Sequence, residues 1–389
     1  MDRSYAKPES PIGIGFLTDF WKKNYLSEYI KEGGSKIKFV TGRPGAGKTF
    51  MTRVVMDDAR DMGYLTVSFS AKSVWLHDFK EIYLEILKQC DIESLLTDCA
   101  KIIAGKMGYD LETIDAGTTL IDHLAERGEA DPLMKAGIRE ELRSMFHKNP
   151  LLDYNFAVCC ALLTGDILGH PALEPQNRQL LIDYLNGEKV KLAQLRALGL
   201  SPDRITRFNA RHMLRSLSEL IRQSGRAGLL VVIDDMEVLI NRSSLEEIHY
   251  TKTRREDTYE SIRQLIDDID SMRNIMFVLA FDRELMDNDN YGMKSYQALW
   301  MRIQNEIVGS RFNRFADIVD MDRLGSQIYT PDILVEMSRA FITRLNGGKS
   351  DGALTLASAQ ELYEHAGYGS IGLPLLVQRT TLSGGEADV

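Results

Sequence analysis

The chain has few cysteines, no long apolar run and no excess of positive charge, and each shortage removes a class of function. Its four cysteines, Cys90, Cys99, Cys159 and Cys160, lack metal-site spacing and sit in apolar, helix-like surroundings. They read as reduced, buried thiols of a cytosolic protein. No apolar run approaches membrane-spanning length and no N-terminal stretch resembles a signal peptide, which predicts a soluble, cytoplasmic chain with no membrane partner. Asp and Glu number 56 against 47 Lys and Arg, a net charge of −9. The surface is therefore not basic all over, and any contact with DNA has to come from a local patch. No repeat or low-complexity segment occurs. What remains is an ordinary globular composition, 44% hydrophobic and 26% charged over 389 residues, enough for two or three domains.

Within that composition one stretch carries chemistry. Residues 36–50 read KIKFVTGRPGAGKTF, an alternating and then apolar strand that breaks into glycines. Gly42, Arg43, Pro44, Gly45, Ala46, Gly47, Lys48 and Thr49 match G-x-x-x-x-G-K-[ST], and a helical pattern follows from Phe50. Glycines let backbone N–H groups curl around a phosphate chain, and the helix N-terminus adds its positive dipole end. Lys48 is placed to reach the β- and γ-phosphates of ATP, and the Thr49 hydroxyl to hold Mg²⁺. These nine residues, 42–50, are the predicted nucleotide site.

The chain on either side agrees. Residues 12–16 (IGIGF) precede the first strand, where such ATPases often cover the adenine; a plain packing helix carrying Phe16, Phe20, Tyr25 and Tyr29 is as good a reading. Residues 65–70 (LTVSFS) form a second strand, so strand, loop, helix and strand open a parallel α/β sheet. About 75–224 is mostly helical and reads as an insertion. In it Arg204, Arg207, Arg211 and Arg215 fall at spacings of three and four, a solvated helix face in preference to a nucleic-acid face. Residues 228–234 (GLLVVID) form the next strand, and its end, Asp234-Asp235-Met236-Glu237, reads as a Walker B motif with Asp234 on Mg²⁺. Hydrolysing relatives usually place Glu where Asp235 stands, to orient the attacking water. Glu237 would share its face if the strand runs on. Either can align water, and slow or partner-stimulated hydrolysis is expected.

Residues 240–257 are polar and contain Lys252, Arg254 and Arg255, a second basic group, before a helix from Tyr259 to Met272. Residues 274–281 form a fourth strand, followed by Asp282 at the place of a γ-phosphate sensor, for which an acid is a poor match. A helix over 294–307 and a fifth strand over 316–321 follow. The segment 310–315 supplies Arg311, and after it Arg314, as candidates for an arginine finger that enters a neighbour's ATP site, which requires an oligomer. Beyond Leu324 the pattern is helical only. No arginine opens the last helix near Gly372-Leu373-Pro374-Leu375, and Arg379 sits deeper in it.

These blocks resemble a known family, the BREX-system ATP-binding proteins, P-loop ATPases of bacterial phage defence. The resemblance runs through KFVTGRPGAGKTF, Asp183-Tyr184-Leu185-Asn186-Gly187-Glu188 with Ala197-Leu198-Gly199-Leu200, residues 228–237, and residues 258–268. Gly292-Met293-Lys294-Ser295-Tyr296-Gln297-Ala298-Leu299 with Arg302 is its most specific part. Departures are Asp235, where the family usually has Asp-Glu over 234–235, and Phe281-Asp282, where it tends to a Thr-Pro pair. The resemblance implies an AAA+-type ATPase, similar in layout to origin-recognition and helicase-loading ATPases, that works beside a helicase or other defence proteins. The expected fold is α/β: an AAA+-like P-loop ATPase domain over 1–325 with a parallel sheet and a large helical insertion, and a C-terminal helical lid over 326–389. The expected activity is Mg-ATP binding and hydrolysis coupled to DNA engagement or partner assembly. The alternative is a nucleotide-dependent switch or scaffold with little or no hydrolysis; a kinase lacks a visible acceptor site.

Overall fold

Five parallel strands carry the molecule: β1 (Ser35–Gly42), β2 (Leu65–Ser70), β3 (Leu229–Asp234), β4 (Ile275–Asp282) and β5 (Ile318–Asp320), in the order β2-β3-β4-β1-β5. The computed structural model describes residues 11–115, 117–241, 248–304, 313–345, 352–365 and 369–383. The inner strands read as near-continuous apolar runs because both sheet faces are covered. Alternation then divides each strand between two cores. Phe39, Val231, Ile233, Phe277, Leu279 and Phe281 face the insertion. Val40, Leu230, Val232, Val278 and Ala280 face Met51, Val55 and Ala59 of the helix Lys48–Asp61, with Leu17, Trp21 and Leu26 beside them.

The insertion between β2 and β3 is helical, as expected, and packs into the first of these cores. Its helix Tyr154–Leu168 is apolar nearly all round and buried along most of its length. All four cysteines are buried and unpaired, and burial pushes the Cys90 and Cys99 thiols up to about 12. Past β5 come helices Met321–Ile328, Pro331–Leu345, Leu356–His365 and Leu373–Leu382, and Leu334, Met337, Leu362, Leu373 and Val377 form a third, separate apolar cluster.

Several boundaries differ from expectation for local reasons. The N-terminal helix Gly15–Phe20 continues as a π-helix, Trp21–Tyr29, whose wider turn buries Trp21, Tyr25 and Leu26 and leaves Phe16 and Tyr29 exposed. Lys252, Arg254 and Arg255 belong to a helix, Lys252–Asp268, not to a loop; Thr251 caps it by accepting the Arg254 N–H. Expected to reach Met272, that helix yields instead to a 3₁₀ turn, Ile269–Ser271. In the described part of the helix expected over 294–307, a 3₁₀ turn, Met293–Ser295, precedes the helix Gln297–Ile303; residues 305–307 lie outside the described residues. β5 is three residues long because it pairs only with Phe39, Val40 and Thr41, and Asp320 then caps the next helix by accepting from the N–H groups of Asp322 and Arg323.

One buried cation fixes the approach to β5. Lys38 of β1 is fully buried on the sheet face of Val40, and its Nζ donates to Phe315 O (2.9 Å), Ala316 O (2.8 Å) and Asp317 Oδ1 (3.0 Å) while lying 4.5 Å from the Tyr25 ring centre. The charge is tolerated there because these contacts offer oxygen and a π face.

Candidate nucleotide site

The glycine-rich loop leaves the carboxyl end of β1 between β4 and β5. Gly45 (φ 76°) and Gly47 (φ 96°) are left-handed, which side chains with a Cβ rarely adopt, and Gly47 caps the helix that Lys48 begins. The helix N-terminus therefore opens onto the loop with N–H groups free of intrahelical partners. Lys48 is buried, and its Nζ donates to Gly42 O and Arg43 O (3.1 Å each) and to Asp282 Oδ1 (2.7 Å). Thr49 Oγ1 donates to Asp234 Oδ2 at 3.0 Å. A hydroxyl and a carboxylate meeting beside a glycine-rich loop are hard oxygen donors of the kind Mg²⁺ takes together with phosphate, so this pair fits that ion. Arg43 does not point into the loop. Its N–H and Nε donate to Asp322 (2.7 and 3.0 Å) and its Nη1 to Gly369 O (2.6 Å).

A cavity of about 860 Å³ opens on this loop. Gly45, Gly47, Lys48, Thr49 and Phe50 form one wall, and Ile12, Ile14, Tyr329, Met337 and Phe341 supply an apolar one. The last helix lines it through Pro374, Leu375 and Gln378 and touches the loop directly: Gly372 N–H donates to Pro44 O (2.8 Å) and Leu375 N–H to Gly45 O (3.3 Å). Arg379 is exposed and does not line the cavity; Arg339 and Arg344, on Pro331–Leu345, do.

The acids after β3 are arranged differently from a continuing strand. Asp235 is left-handed (φ 59°), and Met236–Leu239 is a 3₁₀ turn, so strand alternation does not bring Asp235 and Glu237 to one face. They meet on Lys72 instead. Asp235 accepts Ser70 Oγ (2.6 Å) through Oδ2 and Lys72 Nζ (3.2 Å) through Oδ1, and Glu237 Oε1 lies 3.8 Å from the same Nζ. Glu237 Oε2 accepts the Asp282 N–H at 3.2 Å. Burial raises the Glu237 carboxyl above the ordinary range, and the charges of Asp282 and Asp235 push the same way. Ser70, Lys72, Asp282 as the partner of Lys48, and Gly372 were not singled out for these roles. The available signal was that parallel strands bring their carboxyl ends together, which makes the first polar residues after β2 and β4 neighbours of those after β1 and β3.

Other candidates lie away from the loop. Arg311 falls outside the described residues. Arg314 is exposed at the amino end of β5, its guanidinium 5.0 Å from the Phe20 ring centre, whereas the loop sits at the carboxyl end of the parallel β1. Arg204, Arg207, Arg211 and Arg215 do not form one helix face, because the helix begins at Ala210. Arg211 pairs with Asp268 (3.0 Å), and Arg215 donates to Leu151 O. In the second basic group, Arg254 stacks on Trp75 (4.3 Å) and Arg255 on Tyr291 (5.1 Å), and Lys252 lies 3.8 Å from Glu256.

The sequence model of one family, described as BREX system ATP-binding protein BrxC/D, matches residues 23–324. That span includes the loop, the insertion and all five strands. No curated protein matches the chain. The chain belongs to this family of BREX-system ATP-binding proteins.

Proposed function

We propose that this member of the BREX ATP-binding family is an AAA+-like P-loop ATPase of an anti-phage system, and that the cavity over residues 42–50 is its Mg-ATP site. The observation that carries the reading is that Lys48 and Thr49 line a cavity whose other wall is apolar, with Asp234 on the Thr49 hydroxyl and Asp282 on Lys48. The loop N–H groups receive the phosphates, Lys48 binds the β- and γ-oxygens, and Ile12, Ile14, Tyr329 and Met337 pack the base. Thr49 and Asp234 would hold Mg²⁺, which neutralises charge on the β- and γ-phosphates when bound. Glu237 is the better water-orienting group, since Asp235 is already held by Ser70 and Lys72. The strand order β2-β3-β4-β1-β5 supports the AAA+-like assignment, and the helices past residue 326, with their own apolar cluster, act as the lid.

Arg314 lies remote from its own loop, and it or Arg311, the first candidate by sequence, would serve a neighbour's site in an oligomer. Contact with DNA would fall to the first turn of Lys252–Asp268, where two of the basic side chains lie on aromatic rings, Arg254 on Trp75 and Arg255 on Tyr291. No described helix is long and apolar enough to cross a membrane, in keeping with work in the cytoplasm beside a helicase or other defence proteins. The switch reading, binding with little hydrolysis, draws support from the engagement of Asp235 and from Asp282 on Lys48. The test is Lys48→Ala, which should abolish binding of a labelled ATP analogue while leaving the fold intact. Undiminished binding would refute the site, and turnover by the wild type, with and without DNA, separates ATPase from switch.

A further inference from the structure

Asp282 ends β4 directly beside Gly42 in the parallel register, and its carboxylate holds Lys48 at 2.7 Å. The pair is sheltered: the Lys48 side chain is 9% exposed and that of Asp282 26%, so solvent and salt screen it less than a surface pair. Asp282 cannot retreat with its backbone, because its N–H is held by Glu237 and β4 is paired along its length with β1. Only side-chain rotation can move the carboxylate. A nucleotide on the loop must take Lys48 from this internal anion. On the reading above, in which Glu237 addresses the attacking water, the terminal phosphate of ATP lies on the side of Lys48 where Asp282 and Glu237 sit. ADP presents less charge and ends one phosphate short of that place.

We propose that Asp282 sets the nucleotide preference of this site: its carboxylate competes with phosphate for Lys48 and selects against the γ-phosphate, favouring ADP until the side chain is turned away. This rests on the ATP-site reading above and deepens it. A neutral residue of the same shape removes the competing charge and keeps the backbone contact with Glu237.

The experiment measures dissociation constants of the full-length protein for ADP and for a non-hydrolysable ATP analogue, both with Mg²⁺, by calorimetry. Asp282→Asn should strengthen binding of the analogue about tenfold and leave ADP within about threefold, moving the ratio toward the triphosphate. Asp282→Ser, also neutral, should move it the same way, and Asp282→Glu should not; thermal melting of each variant confirms folding. A role confined to stability would weaken both ligands together and leave the ratio alone. An unchanged ratio, or one that moves toward ADP, in folded neutral variants overturns the inference while the ATP site stands. A folded wild type that binds neither nucleotide overturns the site itself, and the inference with it.

Discussion

Gly372→Ala isolates the contact between the last helix and the glycine-rich loop. Gly372 has φ −71° and ψ 151°, angles that alanine adopts freely, so backbone conformation does not require glycine there. Space does. A Cβ at this position would lie 2.4 Å from both the N and the Cα of Ala46 and 2.8 Å from the carbonyl carbon of Gly45. These are backbone atoms of a loop tied to β1 and to Asp322, and they cannot rotate aside as a side chain does. The segment 372–375 must move out by about 1 Å to reach ordinary contact. That movement breaks the bonds from Gly372 N–H to Pro44 O and from Leu375 N–H to Gly45 O. At about 1 kcal/mol net for each bond, the closed arrangement loses about 2 kcal/mol, or roughly thirtyfold in its population relative to the open one. Hydrogen exchange at the amides of 372–382 should quicken by about that factor. ATP affinity should fall about tenfold, because Pro374, Leu375 and Gln378 form part of the cavity wall. The melting of the sheet domain should hardly change. Wild-type exchange at Gly372 and Leu375, together with wild-type ATP affinity, would show that the helix is not held by this contact.

Two further outcomes follow from buried charges. If Glu237 orients the attacking water, as proposed, it must be ionised to do so, and burial raises its carboxyl, so the acid limb of turnover should lie above the ordinary glutamate value; Glu237→Gln should lower turnover about a hundredfold, and Asp235→Asn far less. The sign for stability is the opposite of the usual acid: a raised value in the fold means that ionisation opposes folding, so Glu237 destabilises above its raised value and the penalty fades as pH falls through it, and Glu237→Gln should unfold no earlier than wild type at neutral pH. Equal turnover in the Gln variant, or an acid limb at the ordinary value, would remove Glu237 from the reaction. Lys38→Met should destabilise by about 3 kcal/mol in denaturant titration, because Phe315 O and Ala316 O lose a donor in a buried setting; a change below about 1 kcal/mol would show that water replaces it.

What was legible in the sequence is what neighbouring residues decide. Strands β3 and β4 announce themselves by apolar runs ending in acid, β1 and β2 by alternation, and the loop at 42–49 by glycines at positions that need left-handed backbone. The helix after it was legible from Met51, Val54, Val55 and Ala59, all of which are buried. The start of Lys252–Asp268 was not, because its first turn carries charge in place of apolar residues and only the Thr251 cap marks it. The apparent basic face of Arg204 to Arg215 arose from counting helical spacing across residues that precede Ala210.

The site's finer arrangement was illegible for a different reason. Lys48 and Asp282 are 234 residues apart, Ser70 and Asp235 are 165 apart, and Gly372 meets a loop more than three hundred residues before it. Each of these residues, read alone, has a bland local meaning: an acid at a strand end, a serine before a turn, a glycine before a helix. The absent arginine at the start of the last helix looked like a missing part. In the fold Gly372 caps that helix where backbone approaches backbone, and no side chain fits between them at that residue. Asp282 likewise looked like a poor sensor, yet its place beside Gly42 makes it the counter-ion of Lys48. Departures from a family pattern gained meaning only when the sheet set the strand ends side by side, because the charge or space that each residue answers is supplied by another strand.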